Sequence, residues 1–355
     1  MEHGIKQTTD LSQQEVISFN LDSETPKSIG SSFFRGENCN LNPYHKDFIR
    51  NDFLKKTLKG WTPDAPVINK STKITAFGSC FASNIAKHLS GVGYNLTKDR
   101  HPDIYISKMG EGLVNIHSLY QQFAWALEDV APPTGLWHGF KAEEFGYDED
   151  VRKRTREAFL DTDFFIITLG LSEVWYDEVT GGIFWRAVPR QNYDPSRHKF
   201  RVCSFAETKA GLEAIYQAIR KHVPNAKLLF TLSPVPLAAT FRPVSCITAN
   251  SASKAILRAA LDEFMREHDD ERSKNLFYFP SYEIVNDLFF CRFSSDGRHP
   301  YDEIIDVIMS SFELFFCETN LTMEELTQKY LQVRKLNGDK SSRVGNLQNT
   351  IKVDA

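Results

Sequence analysis

Short unbroken apolar runs alternate along this chain with stretches whose apolar residues recur every three or four positions. Ile74-Thr75-Ala76-Phe77, Phe164 to Leu169, Lys227 to Leu232 and Leu276 to Phe279 are runs of the first kind. Each has the length of a strand, and a strand with no polar alternation is one covered on both faces. After the first run, Ala82, Ile85, Ala86 and Leu89 recur at helical spacing. Ser204 and Glu207 form a capping box, and the helix they open runs through Leu212, Ile215 and Ile219 towards Pro224. Further helices are predicted for Leu119 to Leu127, for Ala252 to His268, and from Ile304 to Phe315. A last one starts at Thr322, where Glu325 completes a second box, and is expected to fade near Leu336. Strands alternating with helices predict an α/β fold around a central parallel sheet.

The polar segments set the organisation. Residues 1–37 carry no sustained period and are expected to form a loose tail or wrapping segment, and the Ser-, Asn- and Lys-rich residues 337–355 a second tail. Residues 38–336 are read as one domain. Two insertions interrupt it, one between the first two apolar runs, including Pro132 to Gly139, and one from Trp175 to Val202. Long loops at strand ends of such a sheet commonly build a binding site.

Composition narrows the function. A formal charge of −4 with no basic stripe argues against nucleic acid. No run approaches the roughly twenty apolar residues of a membrane span. The polar start, Met1 to Ser23, lacks the apolar centre of a secretion signal, so a cytoplasmic protein is expected. The six cysteines are scattered, with no Cys-x-x-Cys and no metal-like pairing with histidine, so free thiols and no metal or cofactor are expected. His117, His138 and His198 fall in insertions and do not make a metal site.

The candidate chemistry lies in Gly78-Ser79-Cys80-Phe81-Ala82 and, more than two hundred residues later, Asp296-Gly297-Arg298-His299-Pro300. A Gly-Ser hinge between strand and helix puts a hydroxyl at the mouth of the sheet beside the unpaired N–H groups of a helix start. Ser79 is inert until a base takes its proton. A free imidazole titrates near 6.5, which suits His299 to that task, and Asp296 would hold the ring tautomer and stabilise the imidazolium. The competing reading makes Asp-Gly-Arg-His-Pro a solvated turn in which Asp296 serves only its neighbours. In a doubly wound sheet both segments should open at the carboxyl edge. Gly170-x-Ser172 begins like a nucleophile elbow, but position 174 is Val, not the closing glycine. Cys80 reads as a thiol buried under its helix rather than a nucleophile.

Thr168-Leu169-Gly170, Ser233-Pro234-Val235, Asn250 with Ser253-Lys254, Tyr278-Phe279-Pro280-Ser281-Tyr282-Glu283 and Asp296-x-x-His299-Pro300 follow Gly-Ser-Cys-Phe-Ala in order. This succession resembles the GSCFA family, a branch of the SGNH (GDSL-like) hydrolases, over roughly Pro43 to Phe316. The resemblance implies a flavodoxin-like three-layer α/β/α sandwich and a Ser79–His299–Asp296 triad acting through an acyl-enzyme. SGNH enzymes add to the serine N–H an oxyanion hole of a glycine N–H and an asparagine from a Gly-x-Asn-Asp motif. This chain has Gly170-Leu171-Ser172-Glu173 there, so the asparagine is absent. By its context Asn115 is the substitute that the resemblance implies, or else a loop asparagine bonding its own turn. Gly170 would allow close backbone approach. Asn250, Ser253 and Lys254 would line the site or hold the loop after Ser233-Pro234. Glu173 reads as a structural hydrogen-bonding group.

The resulting expectation is an ester hydrolase or O-acyltransferase. Its partners would be an acylated carbohydrate, or an acyl donor, typically of acetyl, plus a glycan acceptor. Trp137, Trp175, Trp185 and Tyr193 offer faces for a sugar, although such aromatics more often fill the core. The alternative is a non-catalytic glycan-binding or scaffold module on the same fold. A phosphate site at the Gly-Ser helix start is the third option, and no lysine stands near it before Lys87.

Overall fold

The computed structural model describes residues 16–20, 26–30, 40, 42–43, 45–51, 53–109, 111–133, 148–272 and 274–348. Trp137 and His138 lie outside them. The chain divides into two compact units after Arg50. In the first, β1 (Val16–Asn20) and β2 (Pro26–Gly30) pair antiparallel, from Val16↔Gly30 to Asn20↔Pro26. The hydrophobic pattern predicts no element here. The ladder is made by backbone groups, which need no apolar run.

The second unit starts with α1 (Phe53–Thr57) and is organised by five parallel strands. These are β3 (Lys73–Gly78), β4 (Asn95–Leu96), β5 (Phe164–Leu169), β8 (Lys227–Leu232) and β9 (Leu276–Phe279), in the spatial order β4-β3-β5-β8-β9. Counted along the chain, that is second, first, third, fourth, fifth, the flavodoxin-like order. All four apolar runs are strands, and β5 is buried at every position. The two-residue edge strand β4 escapes prediction because it is too short to show a period.

Successive side chains leave a strand on opposite faces, and the sheet uses both. On one face, Phe77 and Phe165 pack against Phe123 of α5 (Ile116–Glu128) and Phe159 of α6 (Glu149–Leu160). The same layer continues through α7 (Phe205–His222) to α8 (Cys246–Glu267), whose Phe264 meets Phe230. On the other face, Phe164 stacks on Phe277, and Phe277 and Phe279 pack against Phe312 and Phe316 of α10 (Asp302–Phe316). There α10 contacts α2 (Cys80–Gly91) and α9 (Ser281–Leu288). Each fully buried phenylalanine contributes about 2 kcal/mol, as do the buried Leu and Ile side chains around it. The fold is therefore the expected α/β sandwich with a central parallel sheet.

Three features depart from the sequence reading. The Trp175–Val202 insertion contains an antiparallel hairpin, β6 (Glu173–Asp177) with β7 (His198–Val202). Helix α6 was not expected, because charged residues crowd its few apolar ones, Val151, Ala158 and Phe159. Finally, α11 (Met323–Gln348) runs on past Leu336. Asn337 is buried there, donating its amide to the Cys291 carbonyl and accepting from the Cys291 N–H at 2.9 Å. Two short helices, α3 (Thr97–Arg100) and α4 (Tyr105–Lys108), follow β4. Among the described residues, no helix is long and apolar enough to cross a membrane.

Candidate active site

Strand β3 ends against β5 so tightly that only glycine fits. A Cβ on Gly78, whose φ is 135°, would lie 2.3 Å from the Thr168 carbonyl oxygen. The close approach delivers Ser79 to the N-cap of α2 at the switch point between β3 and β5, the position at which such sheets open a crevice. The Ser79 N–H donates to the Thr168 carbonyl at 3.3 Å, and Oγ accepts from the Phe81 N–H at 3.3 Å. Capping uses an oxygen lone pair and leaves the hydroxyl proton for a base. Ser79 is only 3% exposed, and an isolated antiparallel bridge sets Gly112 beside it. Gly112 was not singled out in the sequence, since nothing local ties it to Ser79. Burial pushes the neighbouring Cys80 thiol up, with the Glu111 carboxylate adding and Lys254 and Arg298 opposing. A protonated, part-buried thiol fits the expectation that Cys80 is not the nucleophile.

The acid–imidazole pair lies in the loop between α9 and α10. Asp296 divides its carboxylate between two tasks. Oδ1 accepts the N–H groups of Arg298 and His299, each at 2.9 Å, and the Ser294 hydroxyl at 3.0 Å, closing a turn in which Gly297 takes φ 69°. Oδ2 meets His299 Nδ1 at 2.5 Å. The turn reading and the catalytic reading thus use different oxygens of one carboxylate. The imidazole contact first, then the two backbone N–H groups, hold Asp296 well below the usual carboxylate range. With Nδ1 engaged, Nε2 is the ring nitrogen left for a proton.

Both segments stand at the carboxyl edge. Arg298 donates Nε and Nη2 to the Pro236 carbonyl, in the loop after β8, at 3.3 and 3.1 Å, and its charge reaches the Cys80 thiol. No hydrogen bond joins Ser79 to His299, and the His299 side chain is half exposed. Beneath them the buried Lys254 of α8 donates Nζ to the carbonyls of Gly170 and Ser233, at 2.7 and 2.8 Å, tying together the ends of β5 and β8. Ser253 accepts from the Ser172 N–H at 2.9 Å, and Asn250 Oδ1 accepts from the Leu237 N–H at 3.0 Å. These three residues of α8 hold the strand-end loops, one of the two roles expected of them.

Asn115 has structural partners of its own. It is the N-cap of α5, in a capping box with Ser118, and its amide donates to the carbonyls of Phe184 and Trp185 at 3.2 and 3.3 Å. Those contacts direct the amide to the β6–β7 connection. Gly170 does give close approach: its N–H reaches the Val114 carbonyl at 2.9 Å, and a Cβ would lie 2.8 Å from that oxygen. Glu173 accepts from the Thr240 hydroxyl at 3.0 Å, a structural bond as expected. Trp185 is buried, whereas Trp175 packs with Tyr193, Phe200 and Phe241, of which Tyr193 is 48% and Phe241 56% exposed.

One trio among the described residues, His117, Cys203 and Glu207, sets three potential ligand atoms within 4.8 Å of one another. Arg201 already forks onto both Glu207 oxygens at 2.7 and 2.5 Å, His117 Nε2 lies 2.6 Å from Oε1, and burial pushes the Cys203 thiol up to about 12. This is a hydrogen-bonded joint between the starts of α5 and α7, with no site vacant for a cation.

No curated protein matches the sequence. Among solved structures, the salicylyl-acyltransferase SsfX3 from a tetracycline biosynthetic pathway is similar at 12% identity and a TM-score of 0.34. That match covers 69% of this chain and 54% of the other, so the chain spans just over half that protein's length. A GDSL-like lipase from Bacteroides thetaiotaomicron has 11% identity over 75% of this chain and 97% of its own, with a TM-score of 0.34. An acetyl xylan esterase (Est2A) from the rumen bacterium Butyrivibrio proteoclasticus has 14% identity over 70% and 65%, with a TM-score of 0.30. The profile of the GSCFA family matches residues 73–312, from the first residue of β3 into α10 and across both halves of the candidate site. The chain belongs to the GSCFA family.

Proposed function

We propose that this protein is an SGNH-type serine esterase or O-acyltransferase in which Ser79 is the nucleophile, His299 the base and Asp296 its orienting carboxylate. The divided carboxylate of Asp296 carries the reading. One oxygen builds the turn, the other fixes His299 Nδ1, and Nε2 is left for a proton, while Ser79 caps the start of α2. In the reaction, Ser79 Oγ attacks the acyl carbonyl as its proton passes to His299 Nε2. The tetrahedral intermediate collapses, and His299 returns the proton to the departing oxygen or sulfur, leaving the acyl group on Ser79. Water or a sugar hydroxyl, deprotonated by the same imidazole, then takes the acyl group away. The exposed imidazole closes on Ser79 when substrate covers the pair, as catalytic hydrogen bonds commonly tighten on binding. Gly170 and Asn250 act as supports of the crevice, through the Val114 approach and the Leu237 contact. An acylated carbohydrate, with acetyl as the acyl group, is the substrate we favour, because the half-exposed rings of Tyr193 and Phe241 offer flat faces for a sugar.

Labelling with a fluorophosphonate probe separates this reading from a glycan-binding or scaffold module, because only an activated serine reacts. Ser79→Ala is expected to abolish both labelling and 4-nitrophenyl acetate hydrolysis. His299→Ala should reduce hydrolysis by about a thousand-fold or more. Wild-type protein that neither labels nor exceeds Ser79→Ala would leave the binding module as the better account.

A further inference from the structure

Ser79 and His299 share no direct hydrogen bond, yet a run of contacts joins them through one nitrogen atom. The ladder between β5 and β8 ends where the Ser233 N–H meets the Leu169 carbonyl at 2.9 Å. Beyond it, the carbonyls of Gly170 and Ser233 both accept from Lys254 Nζ, at 2.7 and 2.8 Å. On the β5 side, the N–H groups of Gly170 and Leu171 donate to the Val114 carbonyl, at 2.9 and 3.0 Å. Two residues before Val114, Gly112 forms the bridge to Ser79. On the β8 side, Ser233 leads through Pro234 and Val235 to Pro236, whose carbonyl accepts from Arg298 Nε and Nη2. Proline fixes its own φ, so a shift at Ser233 carries into Pro236. Arg298 precedes His299 in the turn that Asp296 Oδ1 closes. Lys254 is the one fully buried lysine among the described residues, and no carboxylate among them pairs with it.

We propose that Lys254 is a positioning residue for the Ser79–His299 pair: its ammonium holds the loops after β5 and β8 at the separation from which the hydroxyl can pass its proton to the imidazole. This rests on the esterase or acyltransferase reading and adds a residue to it. An ammonium carries three donors and no acceptor, so one atom can gather carbonyls from two strands through charge-assisted bonds. Filling the same space needs no charge. Burial lowers the pKa of Lys254 to about 7, a cost that an apolar side chain would not carry. The base of the hub is rigid. Asn250 and Ser253, on the same face of α8, hold Leu237 and Ser172, so the ammonium is presented from a helix already fixed to both loops. Placement matters at this scale, because a shift of about 1 Å in a reacting group can cost about a hundred-fold in rate.

In folded Lys254→Met, kcat for 4-nitrophenyl acetate is expected to fall by about ten- to a hundred-fold, with KM within about three-fold of wild type. Lys254→Gln, which keeps two N–H donors on a shorter stem, should lie between the two, and it takes the place of the methionine variant if that does not fold. An unchanged kcat, or a rise in KM alone, overturns the proposal. A double-mutant cycle with Arg298→Met tests the route. Two breaks in one chain of contacts should not multiply, so the double variant should be within about three-fold of the slower single one. Losses that multiply in full, or an Arg298→Met that keeps wild-type kcat, show that the hub does not act through this route and overturn it. Amide exchange followed by mass spectrometry reads the same links without turnover. In Lys254→Met, peptides holding Gly112 to Asn115 and Ser294 to His299 should both exchange at least about three-fold faster, while the amino ends of β5 and β8 stay as in wild type. Unchanged exchange in either loop rejects the hub even if the esterase reading stands. Loosening of both supports it even if no ester is cleaved.

Discussion

Lys254 enters the interior from α8 and bonds two carbonyls at the ends of the central strands, yet meets no carboxylate among the described residues. Removal from water, opposed by the nearby Cys80 thiol and reinforced by Arg298, lowers its pKa to about 7. An unfolded lysine titrates near 10.4, so between these values the unfolded chain holds a proton that the folded one has released. Folding stability then rises with pH across that window, and the contribution is lost as pH falls towards 7. Chemical denaturation at several pH values should show wild type gaining stability relative to Lys254→Met from pH 7 to 10. The variant should be the less stable of the two at pH 10, where most of the deprotonation cost has gone and the loss of two hydrogen bonds dominates. A difference independent of pH would mean that the ammonium is not desolvated as its surroundings imply. The same residue shows what sequence alone could not reveal. Its Ser-Lys motif is visible, but the choice between lining the site and holding loops depends on where two carbonyls 84 and 21 positions away end up.

The N-cap of α5 is where element and site are most easily confused. The implied oxyanion role for Asn115 came from its local Asn-Ile context, whereas its contacts are those of a capping box plus a clamp on Phe184 and Trp185. Asn115→Ala should therefore lower unfolding free energy by about 1 to 3 kcal/mol, combining a lost cap with two poorly satisfied carbonyls. Residual activity should track the folded fraction. Asn115→Asp should keep the cap but not the clamp, and so fall between the two. A hundred-fold drop in kcat with unchanged stability would restore the oxyanion role. Elements whose signal is local were legible in the chain: the four apolar strands, the capping box at Ser204 and the helix behind Ser79. The β6–β7 hairpin was not, because twenty residues separate its paired strands and the aromatic residues of the insertion blur its alternation. The divided role of Asp296 was half legible. Spacing brings carboxylate and imidazole together in one turn, but it cannot tell which oxygen goes to which partner.

At the scale of the molecule, the seat of Ser79 belongs to no single segment. Gly78 reaches its place only against the Thr168 carbonyl, and the start of β3 is tied to Asp163, whose carboxylate takes the Lys73 N–H at 2.9 Å across 90 positions of chain. Bringing such distant partners together carries a large loop-closure cost, and non-local parallel pairing is slow compared with helix formation. The order of assembly follows. After dilution from denaturant, helical ellipticity should recover first, and the reactivity of Ser79 towards a fluorophosphonate should lag behind it until β5 has docked on β3. Coincident recovery of the two signals would show instead that the seat forms with the helices. With the lag, a chain caught partway through folding would already be largely helical and still chemically silent, so it could not cleave or acylate anything before its sheet had closed.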